Sequence, residues 1–571
     1  MNSLATTPEI PSDQVSIPGA YYLRARPEIV ELVPIAAQRI LDVGCGAGGL
    51  SATLKGRQTA EIHGVEIVEQ AAAHARHHLD HVWNCGIEAA LPELPDGYYD
   101  CIVIADVLEH LLDPLFVISE LKKKLTSNGT LIASIPNIQN WGTLSELLQG
   151  KWDYRSEGIL DRTHLRFFTR KSVEELFWSA GFRIARLSRT RRGEPPPSAF
   201  LDKMKDIGLS AKELALDGET FQFLIEAELP DLSVKPKVAI VVLNWNGKQD
   251  TLECLESIGK LDYPNYQTVV VDNGSTDDSV DAIRTKFPNV FVLQTGANLG
   301  YAGGNNVGIK WAISNNSEYI FILNNDVIVD QKCLHELVNA DLVADCGVLG
   351  PANFYYEKQN ELWTIGATRK STPTPGYKLL ADGDNKNDWP LPLMVDSIVG
   401  SSILIRREVI EKVGLLDERF FLCWEEFDFC ARSIDAGFKC LYVPHASIWH
   451  KVGSALGELE SPLRRYFNIR NRLLWASKHC SRSEQRQLKQ DAKQVARQIF
   501  VQPFAVPQGS QVFVKRLLWA ATSWIKSIRR RLAQPANKVT LYALRDFYLK
   551  RFGDCPHAIR QLAAKSSAPR D

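Results

Sequence analysis

The chain has 571 residues, with 66 Lys and Arg against 67 Asp and Glu and a hydrophobic share of 45%. At ~150 residues per domain this length exceeds one core and fits two to four domains, and the apolar and charged fractions exclude a mainly disordered, collagen-like or disulfide-scaffold chain. No apolar run reaches the ~18 residues of a spanning helix, the opening MNSLATTPEIPSDQ lacks the basic start and apolar stretch of a secretory signal, and the eleven cysteines form no paired CxxC framework, so a cytoplasmic protein with reduced thiols is expected.

In chain order, residues 38–225 alternate short apolar runs with helical stretches. RILDVG, EIHGVEI, YYDCIVIAD and GTLIASIP read as buried strands, and EQAAAHARHHL and PLFVISELKKKLT have helical spacing. This alternation predicts a parallel sheet covered on both faces. FRIARLSRT and ETFQFLIEAEL add two strands, with GEPPPSA and a short helix between them. LPDLSVKPK, residues 229–237, reads as a linker. A second alternation starts at Val238, where VAIVVLNW, YQTVVVDN, NVFVLQT and YIFILNND are separated by TLECLESIG and SVDAIRTKF. After about residue 455 the pattern is helical, in SPLRRYFNIRNRLLWASKH and QVFVKRLLWAATSWIKSIRRRLA. The expected fold is α/β, with two doubly wound domains and a helical C-terminal segment. The halves share no motif, so they are not duplicates.

The first half carries Leu41-Asp42-Val43-Gly44-Cys45-Gly46-Ala47-Gly48, a strand running into a glycine-rich turn and then a helix. Glycines at 44, 46 and 48 let a ligand approach the backbone. Glu66 ends the next strand, where a carboxylate accepts hydrogen bonds from both ribose hydroxyls. With VLEHLLDP and SIPN, these residues resemble the class I S-adenosyl-L-methionine-dependent methyltransferases over residues 20–228. DRTHLRFFT resembles a subset from glycan and small-molecule pathways. The resemblance implies a Rossmann-like fold in which Asp42, Gly44 and Gly46 line the methionine end of the cofactor and Glu66 holds the ribose. Where the family has an adenine-binding Asp, this chain reads Trp83-Asn84-Cys85-Gly86-Ile87-Glu88, leaving the backbone of Gly86 and Ile87 for adenine. Methyl transfer to a hydroxyl requires a base, and His110 and His164 are the candidates, with Asp161 as an orienter.

In the second half the strand ends carry Asn, Asp and Gly: LNWNG at 243–247, VDNGSTD at 271–277, NLGYAGGN at 298–305 and LNND at 323–326. Such ends suit a polar ligand at the carboxyl edge of a sheet. Asp272 can accept the imide N–H of a pyrimidine, and Asp326 can bind a hard divalent cation on a diphosphate. Together with FFLCWEEFD at 420–428, these motifs resemble glycosyltransferase family 2, of GT-A fold and rhamnosyltransferase-like type, over residues 238–475. The resemblance implies nucleotide-sugar contacts from Asn244, Asp272, Asn298, Gly300, Asn305, Asn325 and Arg470. It implies a metal (Mg or Mn) at Asp326 with His450, where Asn324-Asn325-Asp326 replaces the family's Asp-x-Asp. The catalytic base falls in an acidic pair, Glu426 or its rival Glu425, and removes the acceptor proton as the anomeric carbon inverts.

Residues 476–571 read as a helical basic extension, and 501–571 alone hold 13 Lys and Arg against three Asp. A basic amphipathic helix with tryptophans suits an anionic bilayer, or its apolar stripe packs on the catalytic domain. No nucleic-acid reader motif is present. The whole reads as a bifunctional glycan-biosynthesis enzyme, cytoplasmic or at the inner face of the membrane. It would take dTDP- or UDP-linked sugars and a glycan or lipid-linked glycan acceptor. The rival is a glycosyltransferase whose methyltransferase-like half is a silent binding or regulatory module.

Overall fold

A computed structural model describes residues 25–206, 209–370, 375–452, 461–500, 526–527 and 529–566. It divides into two units. One comprises the chain up to Pro197 together with Lys212–Pro230, and the other comprises Ser198–Ala211 together with the chain from Asp231.

The first unit is built on seven strands: β1 Arg39–Val43, β2 Glu61–Val65, β3 His81–Trp83, β4 Tyr99–Ala105, β5 Leu125–Pro136, β6 Arg183–Arg191 and β7 Thr220–Glu228. Their order is β3-β2-β1-β4-β5-β7-β6. β7 runs antiparallel to both β5 and β6, while the pairs from β3 to β5 are parallel. Successive side chains of a strand face opposite sides, so Leu41, Val43, Ile102 and Ile104 enter one apolar layer and Ile40, Cys101 and Val103 the other. This two-sided burial is why RILDV and DCIVIA read as continuous apolar runs and not as alternating ones. The chain winds outward from β1 to β3 and then returns to place β4 on the other side of β1. The crevice at this reversal lies beyond the ends of β1 and β4, where Gly44 and Asp106 follow.

The second unit holds β8 Val238–Asn244, β9 Tyr266–Asp272, β10 Phe291–Gln294, β11 Tyr319–Asn324, β12 Val327–Val329, β13 Gly347–Tyr355, β14 Leu362–Thr364, β15 Ala367–Lys370, β16 Gly376–Leu379, β17 Leu393–Val395, β18 Ser402–Arg406 and β19 Lys439–His450. The main path is β10-β9-β8-β11-β18-β13-β19-β12, with β14 on β13, β17 on β19, and β15–β16 as a separate ribbon. β8 pairs in parallel with β9 and β11 on its two sides, which makes a second reversal. Register sets Asn244 opposite Asp272 and Asn324 opposite Leu243, so these polar strand ends share one edge.

Helix Pro462–His479 packs with Pro535–Tyr548 and His557–Ser566. Tyr466, Phe467, Val539, Ala543 and Ile559 share a buried cluster with Phe421. Residues 475 and 476 both lie within helix Pro462–His479, where Leu473, Leu474, Trp475 and Ala476 are all buried. Most of the basic segment 511–532 lies outside the described residues. Among the described residues, no helix is long and apolar enough to cross a membrane, and all eleven cysteines are free.

Candidate active sites

In the first unit, Gly44, Gly46 and Gly48 take φ of +74°, +54° and +85°, a region that L side chains avoid. A Cβ at Gly44 would stand 2.5 Å from Val107 Cγ2. The tight turn brings the Gly46 amide to donate to Glu66 Oε2 at 2.9 Å, and the Val68 amide donates to Oε1 at 2.8 Å. Glu66 is therefore held at a fixed angle and keeps lone pairs for further donors. Burial raises its pKa against those amide bonds. Asp42 is buried and accepts from Ser51 Oγ at 2.7 Å, and desolvation lifts its pKa to about 6. Gly86 precedes the short helix Ile87–Ala90 with an ordinary φ of −66°. Its nearest neighbour to an added Cβ is Glu88 Oε2, at 3.6 Å. Asn84 Nδ2 donates to the Glu66 carbonyl at 2.9 Å and ties the third strand end to the second. A glycine-lined cradle beside an oriented carboxylate fits S-adenosylmethionine.

His110 and His164 come together, with ring centroids 4.8 Å apart. Asp161 does not orient either ring, because its Oδ1 accepts from the amide and hydroxyl of Thr163 at 2.8 and 2.6 Å. Backbone carbonyls do that work instead: Thr163 O lies 3.2 Å from His110 Nδ1, and Ile159 O lies 2.9 Å from His164 Nδ1. A carbonyl only accepts, so Nδ1 carries the proton and Nε2 of each neutral ring keeps its lone pair.

The second site is braced by side-chain amides. Asn244 Nδ2 donates to Asp272 Oδ1 at 3.0 Å and to Ser275 Oγ at 3.1 Å, and its Oδ1 accepts from Thr251 Oγ1 at 2.8 Å. Asn325 Nδ2 donates to the same Thr251 hydroxyl at 3.0 Å. Antiparallel pairing sets Val327 opposite His450, which brings His450 Nε2 to 3.2 Å from Asp326 Oδ1. One carboxylate oxygen beside one imidazole nitrogen is a donor pair that suits a divalent cation such as Mn²⁺.

The acidic pair follows a turn in which Phe421, Cys423 and Trp424 take φ of +63°, +66° and +77°. Three non-glycine residues in this region store strain that the surroundings must hold. Tyr301 N donates to Phe421 O at 2.6 Å, and a Cβ on Gly300 would lie 2.4 Å from that oxygen. Glu425 and Glu426 open helix Glu425–Asp435. Burial, and then the charge of Glu426, holds Glu425 well above the carboxylate range. Burial pushes Glu426 up to about 7, which poises it as a base near neutrality. A cleft of about 570 Å³ adjoins the turn at Trp424 and is lined by Tyr377, Leu473, Val495 and Leu544 among others.

Three expected nucleotide-sugar residues serve the scaffold. Arg470 is fully buried, and its Nη2 donates to the carbonyls of Arg419 and Phe420 at 3.3 and 3.0 Å. It is therefore a brace for the acid-pair turn, a correction to the nucleotide-sugar contact that the resemblance implied. The apolar spacing of Tyr466, Phe467 and Leu474 puts Arg470 on the inward face of its helix. Asn305 is fully buried and donates to Tyr301 O at 3.0 Å. Asn298 Oδ1 accepts from Gly300 N at 2.8 Å, which caps its own turn. Sequence reasoning missed Asn273, which receives Leu299 N at 2.9 Å and donates to Gly300 O at 3.0 Å. It also missed Asn471 as a brace: Nδ2 lies 2.8 Å from the carbonyls of Phe420, Leu422 and Cys423. Helical spacing beside Arg470 was the available signal.

Comparison with known proteins agrees with this division. Residues 20–187 match the family model described as a methyltransferase domain, and residues 239–414 match glycosyl transferase family 2. The low-salt glycan biosynthesis hexosyltransferase Agl10 of Haloferax volcanii is 25% identical over 255 residues, covering 43% of this chain and 77% of the relative. The N-acetylglucosaminyl-diphospho-decaprenol L-rhamnosyltransferase of Mycobacterium tuberculosis is 28% identical over 213 residues, covering 33% and 67% respectively. Among solved structures, the mannosyltransferase PcManGT from Pyrobaculum calidifontis, in complex with GDP-Man and Mn²⁺, is similar at 14% identity and a TM-score of 0.34, covering 56% of this chain and 90% of that one.

Proposed function

Residues 20–187 of this chain are a methyltransferase domain and residues 239–414 a family 2 glycosyltransferase domain, and from that pairing we propose a bifunctional enzyme of glycan biosynthesis. The second domain transfers a sugar with inversion from a dTDP- or UDP-linked donor to a glycan or lipid-linked glycan. The first methylates the same product or chain end, where fusion raises effective concentration. The boundaries that go with this reading are 20–228, 238–475 and 476–571, with 229–237 as linker. The carrying observation is that each sheet presents its own built cradle at its own chain reversal: Gly44 to Gly48 with Glu66, and Asn244, Asp272 and Asp326 with the acid pair.

In sugar transfer, Asp272 accepts the imide N–H of the donor base. Glu426 takes the acceptor hydroxyl proton as the oxygen attacks the anomeric carbon from the face opposite the diphosphate. Asp326 and His450 would hold Mg²⁺ or Mn²⁺, and such an ion stabilises charge on a departing diphosphate. In methyl transfer, Glu66 holds the ribose, the glycine turn passes close to the methionine end, and the acceptor hydroxyl is activated at His110 and His164. The likeness to a relative named as rhamnosylating a decaprenol-linked diphosphate, and the cleft at Trp424, where Tyr377, Leu473, Val495 and Leu544 stand beside Lys370, Arg465 and Arg472, support a lipid-linked acceptor; action at the inner face of the membrane goes with such an acceptor.

The test is a donor-hydrolysis screen over nucleotide sugars with Mg²⁺ and Mn²⁺, run beside calorimetric titration with S-adenosylmethionine. Hydrolysis of one donor class that disappears in Asp326→Ala, with cofactor binding retained, is expected. Absence of cofactor binding at high micromolar concentration would replace the first activity with a silent binding or regulatory module. Hydrolysis that survives Asp326→Ala would remove the metal role.

A further inference from the structure

Glu109 has no place in the chemistry described so far, yet its environment is unusual. It lies in the short turn Leu108–His110 that follows β4 and is 1% exposed. Neither carboxylate oxygen has a hydrogen-bond partner. A buried carboxylate without donors is costly, and desolvation followed by repulsion from Asp106 pushes its pKa well above the ordinary range. What faces it is imidazole: His164 Nε2 lies 3.9 Å from Glu109 Oε1, with the His164 side chain 7% exposed. Ligand-competent atoms of Glu109, His110 and His164 all lie within 4.8 Å of one another.

The grouping is held by backbone. Leu165 N and Arg166 N both donate to the Glu109 carbonyl, at 2.8 and 3.0 Å, and lock the His164 loop to the Glu109 turn. Each imidazole has Nδ1 against a backbone carbonyl. That is the outer contact that fixes a metal-binding histidine with Nε2 free to coordinate. We propose that Glu109, His110 and His164 bind a divalent transition-metal ion. Two imidazoles and one carboxylate suit Zn²⁺, Co²⁺, Mn²⁺ or Fe²⁺, and leave further coordination positions open. Closing the three ligands onto one ion requires them to draw in by roughly 1 Å, given metal–ligand distances of about 2.1 Å. Metal binding stands apart from the methyl-transfer reading. Its consequence rests on that reading: an acceptor hydroxyl at an open position would be acidified by the ion, and the two histidines would act as ligands and not as proton acceptors.

The experiment uses the full chain carrying Asp326→Ala, so that the sugar-transfer half contributes no metal. After chelator treatment, Zn²⁺ is titrated by calorimetry and Co²⁺ by visible absorption. One equivalent of metal is expected, with d–d bands for Co²⁺ and a Zn²⁺-induced rise in melting temperature. Adding His164→Ala or Glu109→Gln should weaken binding roughly 100-fold. His110→Ala, whose ring is only half-buried, should do the same with the least risk to folding. S-adenosylmethionine titration of the same proteins reports the cofactor site separately, so metal binding without cofactor binding would support this site and sink the methyl-transfer reading. No stoichiometric metal in the Asp326→Ala protein, or equal affinity after His110→Ala, would overturn the proposal.

Discussion

The two crevices are made by opposite means. In the first unit, room for a ligand comes from missing side chains: three glycines at positive φ leave the backbone bare, and the carboxylate of Glu66 is aimed by two amides. In the second, the crevice is made of interlocked side chains. Asn244, Thr251, Asn273 and Asn325 bond to one another's surroundings, and the acid pair sits on a strained turn held from both sides. A backbone cradle fails where a Cβ is added. A side-chain network fails where a polar atom is removed.

The largest expected effect is at the acid pair. Glu426→Gln should lower sugar transfer by about 10²–10⁴-fold and leave S-adenosylmethionine affinity unchanged, as read by transfer assay and calorimetry. In the unaltered protein, kcat/KM for sugar transfer should rise with pH through about 7 as Glu426 loses its proton. The stability linkage has the opposite sign. A carboxyl whose folded pKa exceeds its unfolded value binds more protons when folded, so stability falls between about 4.5 and 7. Glu426→Gln should therefore melt higher than the parent at pH above 7, with the difference closing toward acid. No difference at alkaline pH would mean that the carboxyl is not desolvated.

Next come two glycines, one beside each crevice. Gly300→Ala meets the Phe421 carbonyl at 2.4 Å, a backbone atom that cannot rotate away, whereas Gly44→Ala meets a valine methyl at 2.5 Å. Gly300→Ala should shift the acid-pair turn and reduce kcat for sugar transfer roughly 100-fold. Gly44→Ala should weaken cofactor binding about 10-fold, because Val107 can move and only the φ penalty of ~1–2 kcal/mol remains. If Gly44→Ala proves the more damaging, the difference between a backbone obstacle and a side-chain obstacle does not set the size of the effect.

Asn471→Ala takes the side-chain amide away from the carbonyls of Leu422 and Cys423, while Phe420 O keeps Arg470 Nη2. It should cost about 1–3 kcal/mol in chemical denaturation and lower kcat more than donor KM. Gly86→Ala should do least. Its φ is ordinary and the nearest atom lies 3.6 Å from the added methyl, so cofactor affinity should hold within about threefold, well under 1 kcal/mol.

Much of this was legible in the chain. Runs such as RILDV and VAIVVLN declare strands buried on both faces, and the glycine turn, Glu66, Asp272, Asp326 and the acid pair stand at strand or helix ends where local pattern places them. Arg470 shows the limit. The resemblance made it a nucleotide-sugar contact, but burial on a helix face and two backbone carbonyls make it a brace. Asp161 likewise serves Thr163 and neither histidine.

Local periodicity thus determined two α/β sheets and which polar residues terminate their strands, because strand and helix periods act over a few neighbours. The tertiary structure alone decided which of those groups lost water. Glu109, His110 and His164 are joined by a loop folding back on the turn after β4, and Glu426 reaches about 7 through burial. Desolvation depends on everything packed around a group, and that environment is assembled from segments far apart in the chain.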